Sequence, residues 1–301
     1  MLRATVLSEP GSGSTTFVGL FYLALTRLGT ERADTFRFNV PPEALGLLAP
    51  LYDQLVAGSF PEPVAPVDVA HIRFGLAFSP ASSWRPLRRG AGFEPRYQAE
   101  CRWIRTGFDT VAGLLEAGDS GPGALSDLRG STTPIFVLGP PPPRGSLEVG
   151  AAPGSNRDSA IVRILQQLAY RAGAPRGPTG KRLHPVFVFT KMDALPGDVA
   201  PTVPRGDLLD EGHLFDNRER IGRSLIEAMI PNTAAFCRSA RATVDEPVPF
   251  FSYVRTTPGQ DPAGPPLLTR TLANHHHEPV FPFSQFRALI DDLGDLSRRE
   301  L

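Results

Sequence analysis

The N-terminal stretch limits the possible fold most strongly. A short apolar run, Arg3 to Leu7, leads into a polar loop with two glycines and then into the apolar run Phe17 to Leu28. Glycine adopts backbone angles closed to other residues, so the pattern predicts a strand, a tight turn and a helix that begins at Thr15 or Thr16. Such a turn directs several backbone N–H groups and a helix N-terminus at one place, which suits a phosphate.

The loop matches the phosphate-loop signature G-x-x-x-x-G-K-[ST] only in part. Ser8 holds the first glycine position, Gly13 the second, Ser14 the lysine position and Thr15 that of the magnesium-binding hydroxyl. The loop therefore lacks the charge that would reach the β- and γ-phosphates, and an ordinary strand-to-helix turn is the alternative interpretation. If the loop binds phosphate, the residues that do so are Gly11, Ser12, Gly13, Ser14, Thr15 and Thr16.

A second candidate site follows a predicted buried strand, Pro185 to Phe189, where the chain continues Thr190-Lys191-Met192-Asp193. This run resembles the [NT]-K-x-D motif with which Ras-like P-loop GTPases read guanine at the end of a parallel strand. The resemblance implies that Thr190, Lys191 and Asp193 bind the base, with the carboxylate accepting from N1–H and the exocyclic amino group. Adenine lacks both donors and would leave a buried carboxylate unpaired, at roughly 1–3 kcal/mol or more.

Lysine usage supports the same interpretation. Only two of the 31 Lys and Arg residues are lysine, Lys181 and Lys191. A chain that uses arginine nearly everywhere carries lysine where this motif requires it. The alternative is a chance match at the end of a strand.

Composition and charge narrow the classes of partner. The formal net charge is zero, so the composition does not predict binding to nucleic acid or an anionic membrane, and it favours association with protein partners in a complex. The two cysteines are too few for a disulfide framework or a zinc cluster. The run Phe17 to Leu25 is too short to span a bilayer and follows a glycine turn, so we expect no membrane span and a cytoplasmic protein.

Strand and helix patterns alternate along the whole chain. This alternation predicts an α/β fold with a mostly parallel sheet and helices on both faces, which is the P-loop NTPase or Ras-like GTPase architecture, with long Pro/Gly-rich loops. We expect one domain over 1–301, with an inserted or extended loop region at about 58–98. The further predicted elements are strands at 35–40, 67–78, 97–104, 133–138 and 249–254, and helices at 41–57, around 161–168, at 217–230 and from Ser284.

The segment after the 97–104 strand has more than one interpretation. In Ras-like GTPases the corresponding strand ends in D-x-x-G, whose aspartate helps to hold magnesium. Asp109 to Gly113 resembles this motif with one extra residue, which implies a metal site formed by Asp109 and Thr15. An alternative register places Arg105 at the acidic position and abolishes the site. A polar turn that caps a helix from Thr110 to Ala117 is equally compatible with the sequence.

Three other segments invite functional interpretation. Pro140 to Pro143 predicts a rigid surface arm, with a polyproline ligand as the alternative. His275 to His277 favours a solvated turn over a metal site, because adjacent side chains rarely converge on one ion. Residues 258–272 are predicted to be loop. Trp84 lies among several arginines, which suggests a solvated loop with one packed indole or, alternatively, a binding surface.

The resemblance extends to bacterial GTPase domains of the double-GTPase type. It rests on the loop Glu9 to Thr16, the strand ending in Gly139-Pro140, and Glu278 to Phe281 before the last helix. It implies GTP or GDP and Mg²⁺ as cofactors and a complex as the setting. Against hydrolysis stand Ser14, the displaced acid, Gly139 at a position suited to an acid, and the absence of an assignable water-positioning residue.

The sequence therefore predicts a degenerate GTPase-like protein and leaves three functions open. The first is a regulatory or switch subunit of a bacterial complex that binds guanine nucleotide weakly, with little or no hydrolysis. A second is a nucleotide-free scaffold. The third is an active GTPase whose missing cation comes from a partner or from an arginine between Arg85 and Arg105.

Overall fold

A computed structural model describes residues 1–62, 71–79, 95–104, 106–117, 128–140, 157–172, 182–192, 211–258, 266–273 and 276–300. The strands are β1 Leu2–Ser8, β2 Phe36–Asn39, β3 His71–Phe78, β4 Tyr97–Ile104, β5 Thr133–Leu138, β6 Val186–Thr190, β7 Val248–Ser252, β8 Thr256–Thr257, β9 Leu267–Leu268, β10 Arg270–Ala273 and β11 His276–Pro279. The helices are α1 Ser14–Glu31, α2 Pro42–Ala57, α3 Phe108–Glu116, α4 Arg157–Ala172, α5 Glu211–Asp216, α6 Arg218–Met229, α7 Pro231–Ser239 and α8 Phe283–Arg299.

Seven strands form one sheet in the order β2-β3-β4-β1-β5-β6-β7. β4, β1, β5, β6 and β7 run parallel, while β3 runs antiparallel to both β4 and β2. The predicted α/β fold with a mostly parallel sheet is confirmed. Because these five strands are parallel, the loops at their carboxyl ends lie along one edge of the sheet. The strand order places β1 between β4 and β5.

Helices cover both faces of the sheet, as predicted. The alternation along β1 sends Val6 into a core with α1, α2 and α8, and Leu7 into a second core with α3, α4, α6 and α7. In the first core α1 lies between the sheet and its neighbouring helices, which explains why its sequence is apolar almost all round. No helix within the described ranges is long and apolar enough to cross a membrane.

Several boundaries differ from the predictions for identifiable reasons. The end of the apolar run at Leu28 does not mark the end of α1, which continues through Gly29 to Glu31. A β-carbon at position 29 would lie 3.0 Å from the Phe38 ring, so this glycine makes room for a neighbouring strand. α7 was not predicted. The 58–98 region contains β3, whereas residues 63–70 and 80–94, Trp84 among them, lie outside the described residues.

The loop predicted for 258–272 is wrong at 267–268 and 270–272, which are strands, whereas Pro258, Pro266 and Thr269 lie outside strands as predicted. β9 pairs antiparallel with β8, and β10 pairs antiparallel with β11. The solvated turn predicted for the three histidines is also wrong for His276 and His277, which belong to β11. These strands are two to four residues long, too short for an alternating pattern to reveal. His275 and Pro141 to Pro143 lie outside the described residues.

Candidate functional site

The candidate site lies at the carboxyl edge of the sheet, beside β1, β5 and β6. The chain passes from β1 to strands on one side of it and returns to β5, β6 and β7 on the other. The strand order therefore reverses next to β1. In open α/β sheets, ligands bind in the crevice outside the strand ends at such a reversal.

The loop between β1 and α1 has the conformation that its glycines predict. Gly11 has φ 76° and Gly13 has φ 81°, in the left-handed region that favours glycine. Its turn is closed by a hydrogen bond from the Ser12 N–H to the Glu9 carbonyl at 3.2 Å. A β-carbon at position 11 would meet nothing within 4 Å, so the space beside this glycine is open.

The first turn of α1 supplies backbone donors at the same place. The helix begins at Ser14, and the Phe17 N–H donates to the Gly13 carbonyl at 2.9 Å. The N–H groups of Ser14, Thr15 and Thr16 precede that bond, as is general for the first residues of a helix. Together with the positive end of the helix dipole they suit an anion, although the phosphate itself stays a prediction.

The two candidate motifs are joined by direct contacts. The Thr190 hydroxyl donates to the Ser12 carbonyl and lies 3.2 Å from the Leu138 carbonyl. The Lys191 ammonium donates to the Gly11 carbonyl at 2.7 Å. Thr190 is buried, so its hydroxyl satisfies carbonyl groups that have little access to water. The structure thus places the end of β6 against the phosphate loop.

Lys191 also has an unusual backbone. Its φ is 51°, a left-handed conformation that costs a residue with a side chain about 1–2 kcal/mol. No other non-glycine residue in the described part of the chain has a positive φ. Such strain tends to persist where surrounding contacts over-determine the conformation, and the bond to Gly11 is one of them. Asp193 lies outside the described residues, so only two members of the base-binding set have known positions.

Gly139 has a packing role that the sequence did not reveal. A β-carbon at this position would lie 3.2 Å from Ser12 Cα, a backbone atom that cannot move aside easily. The end of β5 therefore approaches the phosphate loop closely because residue 139 is glycine. The sequence suggests a lost acid at this position, whereas the structure gives a steric reason for its identity.

Arg157 is a further residue at the site that sequence analysis missed. Its Nη1 donates to the Gly139 carbonyl at 2.9 Å and lies 3.8 Å from Glu9 Oε2, and its side chain is 15% exposed. Burial lowers the pKa of Arg157, whereas the carboxylates of Glu9 and Asp158 raise it. No local motif marks this residue, because its partners come from β5 and the loop after β1.

Asp109, one member of the predicted metal pair, contacts a different part of the chain. The turn before α3 does approach the loop, since a β-carbon at position 107 would lie 3.9 Å from Pro10 Cδ. Asp109 itself lies on the exposed side of α3, with Oδ1 3.7 Å from Arg163 Nη1. The helix predicted from Thr110 to Ala117 is present as Phe108–Glu116, but it begins two residues earlier and no side chain caps its N-terminus. Arg105 lies outside the described residues.

The backbone N–H groups of the loop and of α1 suit a phosphate, whereas the predicted magnesium site depends on Thr15 and Asp109. Within the described ranges no group of three or more His, Cys, Asp or Glu side chains could hold a metal. Thr15 stands at the start of α1, while Asp109 is turned toward α4. The metal site of Thr15 and Asp109 stays a prediction, and the contact between Asp109 and Arg163 is the observation against it.

Comparisons with known proteins concern the fold alone. No protein-family model and no curated protein matches the sequence. Among solved structures, the chain is similar to the signal recognition particle receptor SRb-GTP/SRX complex from Chaetomium thermophilum, with 14% identity, a TM-score of 0.33, and 86% of this chain and 94% of that chain covered. It is also similar to the GTP-bound Ski7 GTPase-like domain of S. cerevisiae, with 11% identity and a TM-score of 0.33. That match covers 97% of this chain and 50% of the other.

The class that the fold defines is an α/β protein with a seven-stranded, mostly parallel sheet and flanking helices. Its similarity to GTPase-like structures is distant, and the identities are too low to transfer the role of any residue.

Proposed function

We propose that this protein is a degenerate P-loop GTPase-like protein that binds a guanine nucleotide weakly and hydrolyses it little or not at all. The observation that carries the proposal is the pair of bonds from Thr190 and Lys191 to the backbone of Ser12 and Gly11. These bonds join a loop shaped for phosphate to a motif of the guanine-reading type. One ligand with a base and phosphates would span both.

Weak binding and poor hydrolysis follow from the charges near the loop. Phosphoryl transfer depends on positioning and on neutralising negative charge, and Ser14 occupies the position of the phosphate-binding lysine. Asp109, the candidate for the metal side, contacts Arg163. A bound nucleoside triphosphate would therefore stay unhydrolysed until it dissociates, which suits a regulatory or switch subunit of a bacterial complex. We assign this role to a single cytoplasmic domain over 1–301, with protein partners.

A nucleotide-free scaffold is the second candidate, and one observation favours it. The charged groups beside the loop already have partners within the protein: Lys191 contacts the Gly11 carbonyl, and Arg157 contacts the Gly139 carbonyl and Glu9. Such a site does not require a ligand to satisfy its charges.

Binding measurements separate the two candidates. Calorimetry of the purified protein with GTP, GDP and ATP, with and without magnesium, should give guanine-selective binding that Asp193→Asn abolishes. The amide donates where the carboxylate accepts, so it cannot pair with the guanine N1–H and amino group. Absence of binding up to millimolar nucleotide, with circular dichroism showing a folded protein, would contradict the proposal and leave the scaffold.

A further inference from the structure

We propose that Arg157 supplies the positive charge that contacts the nucleotide phosphates, and that Glu9 is its built-in competitor when no nucleotide is bound. This inference rests on the proposed function and identifies the group that compensates for serine at position 14. It assigns to the site a residue that belongs neither to the loop nor to the guanine-type motif.

The position of Arg157 is set by backbone contacts. Its Nη1 donates to the Gly139 carbonyl at 2.9 Å, and Gly139 in turn lies against Ser12 in the middle of the loop. The guanidinium is therefore fixed at the end of β5, beside the loop from which the N–H groups of α1 begin. A residue held by a strand end needs little further ordering when a ligand binds.

The electrostatics of Arg157 favour an additional anion. Its side chain is 15% exposed, so the charge has lost much of its hydration. Glu9 Oε2 lies 3.8 Å from Arg157 Nη1, beyond the 2.7–2.9 Å typical of charge-assisted hydrogen bonds. A phosphate can present two oxygens to the planar guanidinium at the shorter distance. Glu9, at 28% exposure, has access to water and can give way.

Among the described residues Lys191 is a second cation beside the loop, and its geometry suits a different role. Its ammonium is bonded to the Gly11 carbonyl, and the residue is exposed at the end of β6, on the side of the guanine-type motif. To keep the contact that joins the two motifs, its ammonium must stay at Gly11, so it can reach only a phosphate beside that residue. Arg157 can contact a phosphate while its bond to Gly139 remains, because a guanidinium carries five donors.

The test compares ligands that differ only in phosphate. Calorimetry with guanosine, GDP and GTP is performed on the wild type, Arg157→Gln, Glu9→Gln and the double variant. Arg157→Gln should weaken GDP and GTP binding about ten- to a hundredfold, as expected for loss of a hydrogen-bonded charge, and leave guanosine binding unchanged. Glu9→Gln should strengthen GDP binding a few-fold, an effect that added salt diminishes and that disappears in the double variant.

A matched control and a stability measurement keep the outcomes separate. Arg223→Gln removes an exposed arginine of α6 that pairs with Glu246. Both residues are far along the chain from the loop, so this variant should leave all three affinities unchanged. Thermal unfolding checks that each variant is folded, and if Arg157→Gln does not fold, the response to Glu9→Gln decides. Wild-type GDP binding that neither variant changes would overturn the role of Arg157 while the proposed function stands. Failure of the wild type to bind any of the three ligands would overturn both.

Discussion

Two segments at the carboxyl edge of the sheet carry sequences that look like parts of a nucleotide site, and only one is tied to the loop by its side chains. Thr190 and Lys191 donate to carbonyl groups of the phosphate loop. Asp109 lies in the first turn of α3, after the end of β4, and contacts Arg163 on α4. A short motif is therefore better evidence for a site when long-range contacts join it to the other parts of that site than when its spacing alone matches.

The largest expected contrast is between the glycines of the loop and of the end of β5, Gly13 and Gly139, and a glycine of α3. Gly13→Ala should destabilise the protein by about 1–2 kcal/mol, because φ 81° is costly for alanine. Gly139→Ala should cost about 1–3 kcal/mol, because the methyl group would press on the Ser12 backbone. Gly113 in α3, which has open space around it, provides the control: its alanine variant should gain about 0.5–1 kcal/mol. Urea unfolding measures all three, and equal effects would remove the contrast.

Removal of the Thr190 hydroxyl should have the next largest effect on the free energy of unfolding. Thr190→Val keeps the shape of the side chain and removes its donor, leaving the buried Ser12 and Leu138 carbonyls without this partner. We expect a loss of about 1–3 kcal/mol in the free energy of unfolding. Thr190→Ser restores the hydroxyl and should recover most of it. If valine is as stable as threonine in denaturant titrations, the hydroxyl does not hold the loop.

Asp109 should give the smallest effect. Asp109→Asn weakens a surface contact at 3.7 Å, which is worth at most about 0.5 kcal/mol. Binding of GDP, and its response to magnesium, should be the same in this variant as in the wild type. A clear loss of magnesium-dependent binding in calorimetry would support Asp109 as a metal ligand. Both segments would then contribute to the site.

Much of the fold could be predicted because its central strands carry strong local signals. β4 and β5 have the predicted bounds, since each is a run of strand-forming residues between loop signals. The hairpin strands β8 to β11 could not be predicted, because their pairing and not their composition defines them. The packing of α7 on the second core likewise became visible only in the folded chain.

The residues of the site likewise divide into those that the sequence predicts and those that only the folded chain reveals. Gly13 and Lys191 lie in recognisable motifs, and the conformation of the first follows from its residue type. Arg157 and the steric role of Gly139 depend on contacts between distant parts of the chain, which no local pattern encodes. Glu9 is part of the loop pattern, but its ion pair with Arg157 requires the loop after β1 and the start of α4 to meet.

The contacts of Thr190 also bear on motion. One hydroxyl links the end of β6 to the end of β5 and to the loop after β1, so three segments share a single hydrogen-bonding group. Amide hydrogens of the loop should therefore exchange with solvent at rates close to those of the adjoining strand ends, as members of one cooperative unit. A ligand that shifts the loop would also displace the ends of β5 and β6. Its binding would therefore change the structure on both sides of β5.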